Sequence, residues 1–381
     1  MPVPTPSGVP ADHPAEPHPP LGTRPLGRGG LRVGPCSLGA AQLGNLAREV
    51  PDAEWSGALP AAWRNGVRYV DVAPHYGLGL AERRLGTVLA GLPRDAAIVS
   101  TKVGRLLRPA DTGGAGGTDP EGFAVPATHV RVRDYSRDGV LRSLEASLDR
   151  LGLDRVDILY VHDPDEHYRE AMEGAFPALD ELRSQGVIRS YGAGMNQSAM
   201  LTRFVRDTDL DVVLLAGRYT LLEQGPLDDL LPECARRGVS VVAAGAFNSG
   251  LLADAHPPQD ATYDYQAAPP GLLERARAMA AVCARHGTTL PAAAARFPLG
   301  HPAVASVCIG AYSAEQAARN AALFREPVGA ALWSDLVEQG LLRADAPVPA
   351  ADTGADAPGR EPGAHGRPGP TRTTATNGDR T

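Results

Sequence analysis

The sequence predicts one (β/α)8 TIM barrel between two unstructured tails. Three observations carry this expectation. Eight short apolar runs recur along the chain, longer segments with helical periodicity separate them, and no strand-linked GxGxxG loop favours a doubly wound sheet. The length of 381 residues admits either two average domains or one large barrel.

Residues 1–24 are Pro-rich and almost free of aliphatic side chains, so they cannot bury enough surface to offset chain entropy and are expected to be a disordered leader. The segment "LGRGGLRVGP" (26–35) then predicts a short β-hairpin placed to close the bottom of the barrel. Barrel strands are expected in "PCSLGAA" (35–41), "VRYVDVA" (67–73), "AAIVSTKV" (96–103) and "VDILYVHD" (156–163). Four more are expected in "IRSYGAGM" (188–195), "DVVLLAGRY" (211–219), "VSVVAAGAF" (239–247) and "AVASVCIGA" (303–311).

Helical segments lie between these runs. In "DGVLRSLEASLDRLGL", Val140, Leu141, Leu144, Leu148 and Leu151 share a face and Gly152 can end the helix, while Gly287 ends "GLLERARAMAAVCARHG". The connection over residues 104–138 is far longer than an ordinary βα loop and predicts a mobile flap over the top face. From Pro347 the chain turns to Pro, Gly and Thr with almost no apolar side chains, which bounds the barrel at 25–346 and leaves 347–381 as a second disordered tail.

A formal charge of −7 without a long Lys/Arg cluster gives no footprint for nucleic acid or anionic lipid. No apolar run approaches a membrane span and the leader lacks a secretion pattern, so a cytoplasmic protein is expected. Cys36, Cys234, Cys283 and Cys308 lie far apart without paired spacing, which argues for buried thiols rather than a zinc site or disulfides. A small-molecule ligand is the remaining expectation, and the oligomeric state is open.

Active sites of such barrels gather at the C-terminal strand ends. There the second strand delivers Asp71 and leads to Tyr76, the third delivers Lys102 and the fourth delivers His162. Singly, each has an ordinary explanation as a cap, a core hydroxyl, a snorkelling amine or a satisfied histidine. Together they compose a proton-transfer device. A tyrosine with an unperturbed pKa of about 10 needs a nearby cation before it exchanges protons near neutrality. Lys102 can be that cation, Asp71 can hold it, and His162 can position a carbonyl or hydroxyl oxygen. Redox chemistry would need a cofactor besides.

The stretches "GVRYVDVAPHYGLGLAERRLG", "STKVGRLL", "LGLDRVDILYVHDPD" and "IGAYSAEQAARN" resemble the aldo-keto reductase superfamily, whose catalytic Asp, Tyr, Lys and His fall on Asp71, Tyr76, Lys102 and His162. "GMNQSAML", "LLAGRYTLLEQ", "FNSGLLA" and "ATYDY" narrow the resemblance to the branch holding L-fucose (D-threo-aldose 1-) dehydrogenase, L-galactose dehydrogenase and pyridoxal 4-dehydrogenase. The resemblance implies a nicotinamide cofactor and hydride transfer. NADPH-using relatives place Lys and Arg where this chain has Gly310 and Gln316, so NAD is expected, with NADP still possible through Arg319.

By the same resemblance Asn196 or Gln197 would serve the carboxamide, and Tyr219 or Phe247 would stack on the nicotinamide. Phe247, Asn248, Ser249, Gly250 and Leu251 of "FNSGLL" and Gly310, Ala311, Tyr312 and Ser313 of "GAYS" would approach the pyrophosphate and adenosine, with Gln316 and Asn320 following. His75 and the long loop are expected on the substrate side.

The leading expectation is an NAD-dependent aldose 1-dehydrogenase converting a sugar hemiacetal to its lactone. The alternatives are an NADPH-dependent aldehyde or ketone reductase, a pyridoxal 4-dehydrogenase, a non-catalytic dinucleotide-binding redox sensor, and a hydrolase using Asp71 and His162.

Overall fold

The computed structural model describes residues 21–110 and 117–350. Its strands, in chain order, are β1 (Arg24–Leu26), β2 (Leu31–Val33), β3 (Cys36–Gly39), β4 (Tyr69–Asp71), β5 (Ile98–Val103), β6 (Arg105–Pro109) and β7 (His129–Arg133). They continue as β8 (Ile158–His162), β9 (Ser190–Met195), β10 (Val212–Ala216), β11 (Ser240–Ala244), β12 (Thr262–Tyr263), β13 (Gln266–Ala267) and β14 (Val304–Gly310). β3, β4, β5, β8, β9, β10, β11 and β14 close into a barrel, each paired in parallel with its neighbours in that order. Each expected run contains one barrel strand.

The strands are apolar nearly throughout because helices cover their outer face and side chains fill the interior. β8, for example, is buried at every position. The helix Arg137–Leu151 shows how local signals place the outer layer. Ser136 caps it by accepting a hydrogen bond from the Gly139 amide, Val140, Leu144 and Leu151 are buried, and Gly152 ends it at φ 63°.

The bottom hairpin is present, but β1 already begins at Arg24. The Arg24 guanidinium donates to the carbonyls of Leu299 (2.9 Å) and Val304 (3.0 Å), which ties the last residue of the expected leader to the barrel. Leu26, Leu31 and Val33 pack with Tyr69, Ile158 and Val212 at the starts of β4, β8 and β10, and so fill the lower interior. At the other boundary Ala346 is buried, and a Cβ on Gly300 would come within 2.5 Å of the Pro347 carbonyl, so the chain still packs closely at 347. The expected disorder of residues 1–20 and 351–381 lies outside the described residues, as does the whole of a second unit, Asp352–Thr381.

The described part of the long connection after β5, where the sequence predicts a mobile flap over the top face, is organised by a hairpin. β6 and β7 pair antiparallel from Arg105↔Arg133 to Pro109↔His129, and Phe123, in the segment between them, bridges to Leu46. Residues 111–116 at its tip lie outside the described residues. Among the described residues no helix is long and apolar enough to cross a membrane.

Candidate active site

Side chains alternate along a strand, so residues two apart on β4, β5 and β8 point into the barrel in layers. Tyr69, Ser100 and Tyr160 form a lower polar layer. Asp71, Lys102 and His162 lie above it, all nearly inaccessible to solvent. In register, Asp71 stands opposite Ser100, and Lys102 opposite Tyr160.

The two layers are joined by hydrogen bonds. The Tyr69 hydroxyl is 3.0 Å from that of Tyr160 and donates to Ser100 Oγ at 3.1 Å; Ser100 Oγ donates to Asp71 Oδ1 at 2.7 Å. Lys102 Nζ donates to Asp71 Oδ2 (2.6 Å), the Val72 carbonyl (3.0 Å) and the Tyr76 hydroxyl (3.0 Å). All three ammonium hydrogens are therefore spoken for. Burial opposes the Lys102 charge, but Asp71 and Tyr76 hold its pKa above the ordinary amine value. Burial pushes Tyr76 up to about 12 against the pull of Lys102, so the phenol keeps its proton at neutrality.

Tyr76 reaches this point on a tight turn. Gly77 has φ 60°, and a Cβ there would come within 2.2 Å of the Gly44 carbonyl oxygen; a Cβ on Gly44 would come within 2.6 Å of the Tyr76 carbonyl carbon. Two glycines therefore let the β4 loop press against the segment after β3.

His162 completes the constellation, with its ring 6.1 Å from that of Tyr76 and 5.5 Å from that of His75. Burial, reinforced by Arg105 and Lys102, drives its pKa well below the usual histidine value, and burial with Arg105 and Arg131 lowers His75 to about 2. Both imidazoles are neutral. Asp163, immediately after His162, has φ 41°, and the Tyr135 hydroxyl lies 2.8 and 2.9 Å from the carbonyls of His162 and Asp163, holding this strained peptide.

The β6–β7 connection roofs the site. Arg131 donates to both Asp119 oxygens (2.7 and 2.6 Å) and to the His75 carbonyl (2.8 Å). Arg105 pairs with Asp163, and Phe123 meets His75 edge-on at 5.2 Å. Sequence reasoning placed His75 here but missed Arg105, Asp119, Glu121, Phe123, Arg131 and Asp163. The alternation in "HVRVR" could have revealed the hairpin, whereas nothing local pairs Arg105 with Asp163.

Beside this centre, at the ends of β9, β10, β11 and β14, lies a cavity of about 420 Å³. Of the residues expected at a cofactor, Asn196, Phe247, Asn248, Ser249, Gly250, Gly310, Tyr312, Gln316 and Asn320 are on its wall. Five are not. Tyr219 is buried against Phe297, Gln197 is exposed ahead of the helix Ser198–Asp207, Leu251 and Ala311 are in the core, and the Ser313 hydroxyl caps the helix Ala314–Leu323. The wall also holds Gln42, Gly217, Arg218, Asp264, Tyr265 and Arg319. Arg218 reaches Asp264 of the β12–β13 hairpin through two bonds (3.1 and 3.0 Å), a partnership that no sequence spacing signalled.

This wall suits a dinucleotide. Asn248 Oδ1 and Gln42 Oε1 are buried without partners, bare glycine backbone borders the cavity, and a Cβ on Gly310 would collide with Gln42 at 2.3 Å.

Comparison with known proteins agrees with this geometry. The model of the Aldo/keto reductase family matches residues 35–338. The chain is 45% identical over 315 residues to D-threo-aldose 1-dehydrogenase of Pseudomonas sp, covering 82% of this chain and 96% of the relative. It is 39% identical over 335 residues to pyridoxal 4-dehydrogenase of Microbacterium luteolum, covering 84% and 97%. In fold it is similar to the glycerol dehydrogenase of Gluconobacter oxydans, with TM-score 0.68, 22% identity and coverage of 87% and 98%.

Proposed function

The chain belongs to the aldo/keto reductase family of NAD(P)-dependent oxidoreductases, and we propose that it oxidises the hemiacetal of an aldose of the L-fucose or D-threo class to the lactone, using NAD. The observation that carries the chemistry is the buried ammonium of Lys102 between Asp71 (2.6 Å) and the Tyr76 hydroxyl (3.0 Å). The 45% identity to an aldose 1-dehydrogenase over nearly the whole of both chains supports the substrate class.

When bound, the nicotinamide supplies the acceptor for the hydride leaving the anomeric carbon. Tyr76 takes the proton of the anomeric hydroxyl, so hydride and proton leave together and the C1–O1 bond becomes the lactone carbonyl. Tyr76 must be ionised before it can accept this proton; Lys102 stabilises that phenolate, which becomes the phenol as the proton arrives, and Asp71 keeps Lys102 aligned. The neutral imidazole of His162 holds the anomeric oxygen without adding a charge that would oppose Lys102.

Asn196, Phe247, Asn248, Ser249, Gly250, Gly310, Tyr312, Gln316 and Asn320 would hold the dinucleotide. NAD is preferred because Gly310 and Gln316 offer no cationic pair for a 2′-phosphate; NADP would have to rely on Arg319. A cytoplasmic setting fits four buried thiols.

The test follows absorbance at the reduced-nicotinamide band with NAD or NADP and, in turn, L-fucose, D-arabinose, L-galactose and pyridoxal. The proposal requires reduction of NAD by at least one aldose. Turnover of pyridoxal alone, or only NADPH-driven reduction of simple aldehydes, overturns it.

A further inference from the structure

The roof over Tyr76 contains two ion pairs of different character. Arg131 and Asp119 form a bidentate pair, almost fully buried, that pins the His75 carbonyl; Arg131 also stands 3.6 Å from Glu121 Oε1, and its Nε is buried without a partner. Arg105 is different. It pairs with Asp163 through one nitrogen, while the other is divided between His75 Nδ1 at 3.3 Å and Glu121 Oε2 at 3.5 Å; its Nε, like that of Arg131, is buried with no partner. His162 Nδ1 is likewise buried and unpartnered, and Asp163 Oδ2 is 3.5 Å from His162 Nε2.

We propose that Arg105, Glu121 and Asp163 form the subsite that reads the ring hydroxyls of the sugar, next to the reacting carbon. This rests on the aldose reading above. A hydroxyl donates and accepts at once, so neighbouring ring hydroxyls match a carboxylate set beside a guanidinium. The Glu121 and Asp163 side chains keep 44% and 30% of their exposure and stand ready to accept, whereas Arg105 is 10% exposed and fixed as the donor. Phe123, buried with Leu78 and Val125 and 6.2 Å from the Tyr76 ring, backs this roof from within. A carbonyl compound without hydroxyls would strip water from these carboxylates and return no hydrogen bond. The roof therefore selects polyhydroxylated substrates.

The test combines Glu121→Gln and Asp163→Asn with a set of monodeoxy analogues of the aldose that the wild-type enzyme turns over. Benzaldehyde reduction serves as the hydroxyl-free reference. For each variant the ratio of aldose to benzaldehyde kcat/KM should fall about 10- to 100-fold, mainly through KM, the range expected for losing a hydrogen bond to a charged group. For one monodeoxy analogue the penalty should be large in wild type and absent in a variant, because the lost partner is then missing on both sides. Equal losses on both substrates, or an unchanged ratio, overturn the proposal while leaving aldose oxidation standing. A wild-type enzyme that reduces benzaldehyde but oxidises no aldose overturns the underlying function and this subsite with it.

Discussion

Lys102 Nζ stands 3.0 Å from the Tyr76 hydroxyl while the same ammonium is 2.6 Å from Asp71. The sequence suggested that Lys102 would bring Tyr76 towards neutrality, yet burial wins and the phenol lies at about 12. Oxidation needs the phenolate, whose fraction grows about tenfold per pH unit below that pKa. The oxidative kcat/KM should therefore climb from pH 7 to pH 10, and the reverse reduction, which needs the phenol, should be flat near neutrality. His75 and His162 stay neutral throughout, so neither profile should inflect near pH 6.5. A pH series in both directions checks this.

Ser100 joins the lower polar layer to Asp71 through a 2.7 Å bond. Ser100→Ala leaves Asp71 Oδ1 without that donor and Tyr69 without an acceptor. Stability should fall by about 1–3 kcal/mol, measured by urea unfolding. Since Asp71 aligns Lys102, kcat should drop about tenfold with KM little changed, and Ser100→Thr should restore part of it.

Gly77→Ala places a methyl against the Gly44 carbonyl at a residue with φ 60°. Strain of this kind costs about 1–3 kcal/mol, and relief requires the Tyr76 loop to shift. Thermal unfolding should register the loss, and kcat should fall more than nucleotide affinity.

Gln316 lines the cavity, and its Oε1 accepts from the Tyr312 amide at 3.2 Å. Gln316→Arg would supply one missing cation for a 2′-phosphate. Fluorescence titration should show NADP binding about tenfold tighter, in keeping with one charge-assisted bond, and NAD affinity nearly constant. Restoring the second cation at Gly310 would require the Gln42 side-chain amide, 2.3 Å from where a Cβ would lie, to move aside.

The barrel was legible because strand burial and helix periodicity are local signals, and Asp71, Tyr76, Lys102 and His162 stood out as ionisable residues closing apolar runs. The β6–β7 roof was not legible, because "DTGGAGGTDPEG" between its strands reads as loop and masks their pairing. The cofactor wall was legible only in part. Tyr219 has the right chemistry for stacking, but its side chain turns into the core against Phe297. Gln42 and Arg218 reach the cavity from segments with no motif of their own. Such placements follow from how the β-strand ends converge, which depends on tertiary packing rather than on neighbours in sequence.

The most direct test of the account is turnover of Tyr76→Phe with saturating NAD and the preferred aldose, alongside nucleotide binding. Loss of the proton acceptor should lower kcat by about 10²- to 10⁴-fold while the NAD Kd stays within a factor of about two. Wild-type turnover by Tyr76→Phe, with NAD bound as tightly as before, would contradict the central role given to the Lys102–Tyr76 pair.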